Sequence, residues 1–110
     1  MSDPALEPEP FEETTNIDRL IHEPARLVIL SVLAECRSAN FMYLQSLTGL
    51  TKGNLSNHLA KLAARGLIEI DKKFVDNNPL TTLRLTKEGR TAIRAYWRQI
   101  EKTRAALKSF

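Results

Sequence analysis

Apolar residues recur along this chain first with a helical period, then with a period of two, then with a helical period again. Ile17, Leu20 and Ile21 share one helical face behind Asn16, which the pattern predicts as an N-cap, and Pro24 permits a break or a fresh first turn. From Ala25 to Cys36 the residues are apolar nearly all round, the mark of a helix buried from several sides, with Cys36 expected as a small buried hydrophobe at its end. Asn40 is suited to cap a short helix carrying Phe41, Leu44 and Leu47, and Thr48-Gly49 supplies the turn after it. The next helix has Thr51 as its cap and Leu55, Leu59 and Leu62 as its buried stripe, and Gly66 stands where a left-handed C-terminal residue is wanted.

Beyond Gly66 the period falls to two. Ile68 and Ile70 alternate with Glu69 and Asp71, and Leu83 and Leu85 alternate with Thr82 and Arg84, which predicts a two-stranded hairpin. Its connection, around Asp76-Asn77-Asn78-Pro79, reads as longer than a two-residue turn. A long helix then runs from Lys87 to about Leu107. Residues 1–16 show no periodicity, contain Pro4, Pro8 and Pro10 among acids, and are expected as a disordered acidic tail. The expected architecture is therefore a single domain over 17–110, mainly α with a small β-hairpin, whose last helix spans about 87–108.

Charge sharpens this picture. The 110 residues carry a formal +3, but the five acids of residues 1–16 meet no Lys or Arg, leaving 16 basic and 8 acidic residues in 17–110. A domain near +8 is a reasonable electrostatic footprint for nucleic acid, although acidic proteins and membranes would suit it too. No apolar run approaches the roughly 20 residues needed to cross a bilayer, no signal-peptide pattern opens the chain, and the lone Cys36 fits a reducing compartment, so the expected setting is the cytoplasm. No nucleophile, base and acid converge, no glycine-rich phosphate loop follows a strand, and no metal-ligand cluster is present, so neither an enzyme nor a cofactor is expected and a metal site is disfavoured.

Helices joined by a short glycine-containing turn and followed by a hairpin have the order of a winged helix-turn-helix. A helix read into the major groove must bury one face and offer small polar or basic side chains on the other. Residues 52–65 do so. Opposite the leucines lie Gly53, Asn54, Asn57, Ala60 and Lys61. Asn57 and Asn54 are candidates for base contact, Lys52, Ser56 and Lys61 for phosphate, and Gly53 for close backbone approach. On the hairpin, Lys72, Lys73, Asn77, Asn78 and Arg84 are candidates for a wing that follows the phosphate backbone or enters the minor groove. His58 at the edge of the buried stripe and His22 beside Pro24 are expected to be structural.

These landmarks resemble the winged-helix transcriptional regulators of bacteria and archaea, broadly the ArsR-like and MarR-like families. The resemblance rests on His22-Glu23-Pro24-Ala25-Arg26, the run Leu50 to Leu62, Gly66-Leu67-Ile68, and Leu85-Thr86-Lys87-Glu88-Gly89-Arg90. It implies a homodimer on a roughly palindromic operator in double-stranded DNA, and a transcriptional regulator, a repressor that blocks promoter access. The chain lacks the cysteine pairs or His and carboxylate clusters of metal-sensing relatives, and it is shorter than relatives whose helical arms enclose a ligand, which leaves a small-molecule effector an open question. Ile93, Tyr96, Trp97, Ile100 and Leu107 form an apolar face on the last helix that, with Ile17, Leu20 and Ile21, is expected to make the dimer interface. Across the same helix Lys87, Arg90, Arg94, Arg98 and Lys102 form a basic stripe, by default a solvated face. Two other readings of the fold stay open: a protein-interaction module, which would present exposed aromatic or aliphatic anchors on the recognition face, and a nonspecific architectural DNA binder.

Overall fold

In the computed structural model, residues 17–108 are described; the expected acidic tail over 1–16 and its Asn16 cap lie outside them. Four helices and three strands follow in the order α1 (Pro24–Cys36), β1 (Ser38–Asn40), α2 (Phe41–Thr48), α3 (Lys52–Ala64), β2 (Ile68–Val75), β3 (Asn78–Leu85) and α4 (Lys87–Leu107). Each helix starts on a side chain that accepts a backbone N–H freed by the helix start: Glu23 from Arg26, Asn40 from Tyr43, Thr51 from Asn54 and Thr86 from Gly89. Helix α1 also has a proline in its first turn, where no N–H is missed.

The segment before α1 differs from its expected helix. Asp18 Oδ1 accepts the amides of Leu20 and Ile21 at 3.0 and 3.4 Å, and the His22 amide bonds to the Asp18 carbonyl at 2.8 Å, so residues 19–21 form a turn that Pro24 ends. Helix α1 buries Ile29, Leu30 and Leu33 but leaves Val28 40% exposed, so it is embedded on one side rather than all round. Cys36 is exposed, contrary to the expected buried position, because the chain leaves α1 there through Arg37 at φ 49°. In α2, Leu44 is buried, Phe41 packs against the core and Leu47 points outward at 47% exposure.

The sheet has three strands in the order β1-β3-β2, all antiparallel, rather than the two expected. Ser38, Ala39 and Asn40 pair with Arg84, Leu83 and Thr82, giving the base of β3 a neighbour on each side. The hairpin connection is a two-residue turn: Asp76 and Asn77 both have positive φ, 52° and 65°, as a type I′ turn requires, and Val75 pairs directly with Asn78. Pro79 therefore lies inside β3, opposite Phe74 and beyond the reach of β1, where the hydrogen bond it cannot donate is not needed.

Leu55, Leu59 and Leu62 anchor α3 in a core shared with Ile29, Leu30, Leu33, Leu44, Leu67, Ile68, Leu83, Ile93 and Tyr96. Burying each leucine contributes about 1.5–3 kcal/mol. The helix ends in a Schellman motif: Gly66, at φ 76°, donates to Ala63 at 2.9 Å, and Leu67 donates to Leu62 at 3.0 Å. Thr86 then ties this end to α4, donating from its amide to Leu67 O at 3.0 Å and from its hydroxyl to Gly66 O at 2.6 Å. The buried Gly89 packs directly on the Leu67 carbonyl, a contact that leaves no room for a Cβ.

Candidate nucleic-acid interface

Helix α3 contains no acidic residue, and Lys52, Gly53, Asn54, Ser56, Asn57, Ala60 and Lys61 are all exposed along it. The pattern that predicted a buried leucine stripe thus also placed the small polar and basic residues outward. Lys61 in the last turn is favourably placed for the helix dipole, while Lys52 at the first position puts a positive charge beside amides that already favour an anion.

The rotation of α3 is fixed by a polar cluster at its edge. Arg26 Nη1 lies 3.0 Å from His58 Nδ1. A guanidinium cannot accept, so this nitrogen accepts and the ring proton is on Nε2, which faces Glu23 Oε2 at 3.7 Å. Arg26 Nε donates to Leu20 O at 2.5 Å, and Glu23 caps α1. Leu20, Glu23 and Arg26, neighbours at the start of α1, are therefore joined to His58, 32 residues beyond Arg26, and His58 is engaged with its own chain at this corner. His22 likewise sits 2.8 Å from the Tyr96 hydroxyl, whose pKa burial pushes up. At the far end of α3, Arg65 forms a two-point contact with Asp18, at 3.3 and 2.5 Å. That hydrogen bond, with the charge of Arg65 and the Leu20 and Ile21 amides, outweighs burial and holds the Asp18 carboxyl below the usual carboxylate range.

Strand alternation divides the wing residues. Ile68, Ile70, Lys72 and Phe74 share one face with Leu85, Leu83, Thr81 and Pro79, the face that contributes Ile68 and Leu83 to the core. Lys72 is thereby on the side of α3, and both line a groove of about 580 Å³ with Met42, Ser56, Ile70 and Leu80. Lys73 is on the opposite face, 3.3 Å from Asp71. Arg84 is also on that opposite face, at the base of the sheet, paired with Glu69 at 3.6 Å. The expected place of Lys73 and Arg84 beside α3 is corrected: residue parity, visible in the sequence, separates both from Lys72. Asn77 and Asn78 are exposed at the turn, Asn78 bonding to Asp76 O at 3.3 Å, and Phe74 and Val75 stand 78% and 50% exposed near the tip.

The expected dimer residues also divide. Ile21, Ile93 and Tyr96 are at most 4% exposed within the single chain, so they are core residues and are removed from that set. Ile17, Leu20 and Ile100 are half-buried against the core, whereas Trp97 and Leu107 are 46% and 51% exposed. Of the basic stripe, Arg90 is partly buried and donates to Ala34 O at the end of α1. Among the described residues no group of three His, Cys, Asp or Glu is placed to hold a metal, and no helix is long and apolar enough to cross a membrane.

Residues 25–103, spanning α1 to most of α4, match the winged helix DNA-binding domain family. The chain belongs to this family. An uncharacterized protein of Methanocaldococcus jannaschii is 32% identical over 78 residues, covering 71% of this chain and 85% of its own length. Among solved structures, a transcriptional regulator homologue from Pyrococcus horikoshii superposes with a TM-score of 0.79 at 26% identity, over 89% of this chain and 96% of the other. HlyU from Vibrio cholerae (TM-score 0.55, 24% identity, 73% of this chain and 83% of the other) shares the fold. So does a MarR family transcriptional regulator from Silicibacter pomeroyi (0.59, 21%, 91% and 64%). The winged helix identified from element order is thus the fold of this chain, with the β2-β3 hairpin as its wing.

Proposed function

We propose that this winged helix protein is a sequence-specific transcriptional regulator that binds double-stranded DNA as a homodimer on a roughly palindromic operator, and that it acts as a repressor by blocking promoter access. The observation that carries the reading is the outward face of α3: asparagines and lysines, a close-approach glycine and no carboxylate, on a helix whose other side is anchored by three buried leucines. Asn54 and Asn57 read base edges, with asparagine's donor and acceptor matched to adenine. Lys52, Ser56 and Lys61 hold phosphates, joined by Lys72 and by Asn77 and Asn78 from the wing, with Lys73 adding a weaker, more distant charge. The kinship with a transcriptional regulator homologue supports a regulatory role. Trp97, Ile100 and Leu107 supply the centre of the dimer contact, with Ile17 and Leu20 at its edge, so that two α3 helices reach successive major grooves about 34 Å apart. The cytoplasm is the corresponding compartment.

Selection of bound duplexes from a random pool, run in parallel with Asn57→Ala at fixed salt, tests this. The expected result is an enriched two-fold motif that Asn57→Ala relaxes at a defined position. Binding without enrichment would instead identify an architectural binder, and no binding an interaction module.

A further inference from the structure

We infer that the chain's own N-terminal segment, residues 4–13, docks in the groove between α3 and the wing and competes there with DNA; the competition rests on the reading above, the docking does not. The groove, about 580 Å³, is within the size range of sites that seat one aromatic group and its neighbours. Its bed is apolar, and its cations are Lys52 and Lys72. Met42 is 79% exposed there and Ile70 37%. Such side chains are ill suited to reading base edges, yet they adjoin the polar face of α3. They are the anchors expected of a surface that holds a peptide.

Residues 4–13 read Pro-Ala-Leu-Glu-Pro-Glu-Pro-Phe-Glu-Glu. Phe11 and Leu6 are the apolar anchors, and Glu7, Glu9, Glu12 and Glu13 flank them, which complements an apolar bed between two lysines. The composition is opposite in sign to residues 17–110, where bases exceed acids by eight. The prolines lower the conformational entropy lost on docking. Reach is sufficient. Asp18 is fixed to Arg65 at the C-terminal end of α3, and α3 is 13 residues long, about 20 Å. Phe11 and Leu6 precede Ile17 by spans that extend to about 20 and 37 Å. Because the segment is tethered, its local concentration is on the order of millimolar, so even weak docking counts against duplex binding.

The test uses the full chain in solution by NMR, without DNA. Cross-relaxation from the Phe11 ring to the methyls of Met42 and Ile70 is expected, lost in Phe11→Ser. In a parallel titration with random duplex, Phe11→Ser and the combined Glu9→Gln, Glu12→Gln and Glu13→Gln chain are each expected to bind about threefold tighter or more than the parent. Tightening by the Gln chain alone would mean that the acids only screen charge, and would overturn docking, as would Phe11 contacts on the α4 basic stripe or none at all. If no chain binds duplex, the DNA-binding reading fails while the Phe11 contacts still decide whether the segment docks.

Discussion

Replacing Gly89 with alanine puts a helix-favouring residue into a helix and is nevertheless expected to destabilise the protein. By propensity alone the change gains about 1 kcal/mol. Against this, a Cβ at Gly89 would overlap the Leu67 carbonyl oxygen, and it would stand 2.7 Å from Leu85 Cδ1 and 2.9 Å from the Leu67 carbonyl carbon. Two of these three atoms are backbone, in the loop that closes α3, so rotamer changes cannot relieve the clash. Overpacking of this kind costs about 1–3 kcal/mol. Displacing the Leu67 carbonyl also weakens its 3.0 Å bond from the Thr86 amide, costing about 1 kcal/mol more. The net loss is about 1–3 kcal/mol, equivalent to a fall in Tm of roughly 5–20 °C for a domain of this size. Urea unfolding followed by far-UV circular dichroism, at one protein concentration, measures it. Gly53→Ala is the control, since nothing lies within 4 Å of a Cβ there and its stability is expected to be equal or higher. A Gly89→Ala protein as stable as the parent would refute the close packing of α4 on the α3 terminus.

Four further outcomes are expected. Asn57→Ala, at an exposed position, retains parental stability and loses about 1–3 kcal/mol of discrimination at one operator position, measured by competition between duplexes. Lys72→Ala lowers the salt dependence of duplex binding by about one unit of log-log slope, whereas Lys73→Ala, on the other wing face beside Asp71, lowers it less. Trp97→Asp places a charge on the exposed apolar face of α4 and yields a monomer by sedimentation equilibrium. Asp18, whose folded pKa is depressed by the hydrogen bond from Arg65, contributes stability that is full above its unfolded pKa of about 4 and is lost as pH falls through the lower folded value. Asp18→Asn therefore flattens the decline in stability below about pH 4 in acid titrations, and unchanged acid sensitivity would count against the pair.

Much of this fold was legible because its signals are local. Asn40, Thr51 and Gly66 act through backbone groups within a few residues, and the stripe Leu55, Leu59 and Leu62 turns inward wherever the helix is placed. What was not legible depends on partners distant in sequence. Strand β1 is three residues without periodicity, and it forms because the base of β3 offers a free edge. Asp18 captures the Leu20 and Ile21 amides in place of a helical turn, and it is held there by Arg65, 47 residues away. The turn at Asp76-Asn77 tightens because both residues accept positive φ without glycine. Burial is non-directional, so an apolar stripe does not announce whether it meets its own chain or another. Ile21, Ile93 and Tyr96 carry the pattern of a partner-facing stripe, yet they fill the core of their own chain. At the candidate site, α3 could be read from periodicity alone, whereas the Arg26, His58 and Glu23 cluster and the groove beside Lys72 exist only once α1, α2, α3 and the wing are brought together.

The central claim is that α3 and the facing side of the wing form the DNA surface, and the most direct measurement is backbone amide shift mapping of the labelled protein titrated with the selected duplex. The account predicts that the largest changes fall on Lys52–Lys61 and on Lys72, Asn77 and Asn78, with Glu69 and Arg84 on the opposite wing face little affected. Changes centred on the basic stripe of α4, with α3 silent, would contradict it.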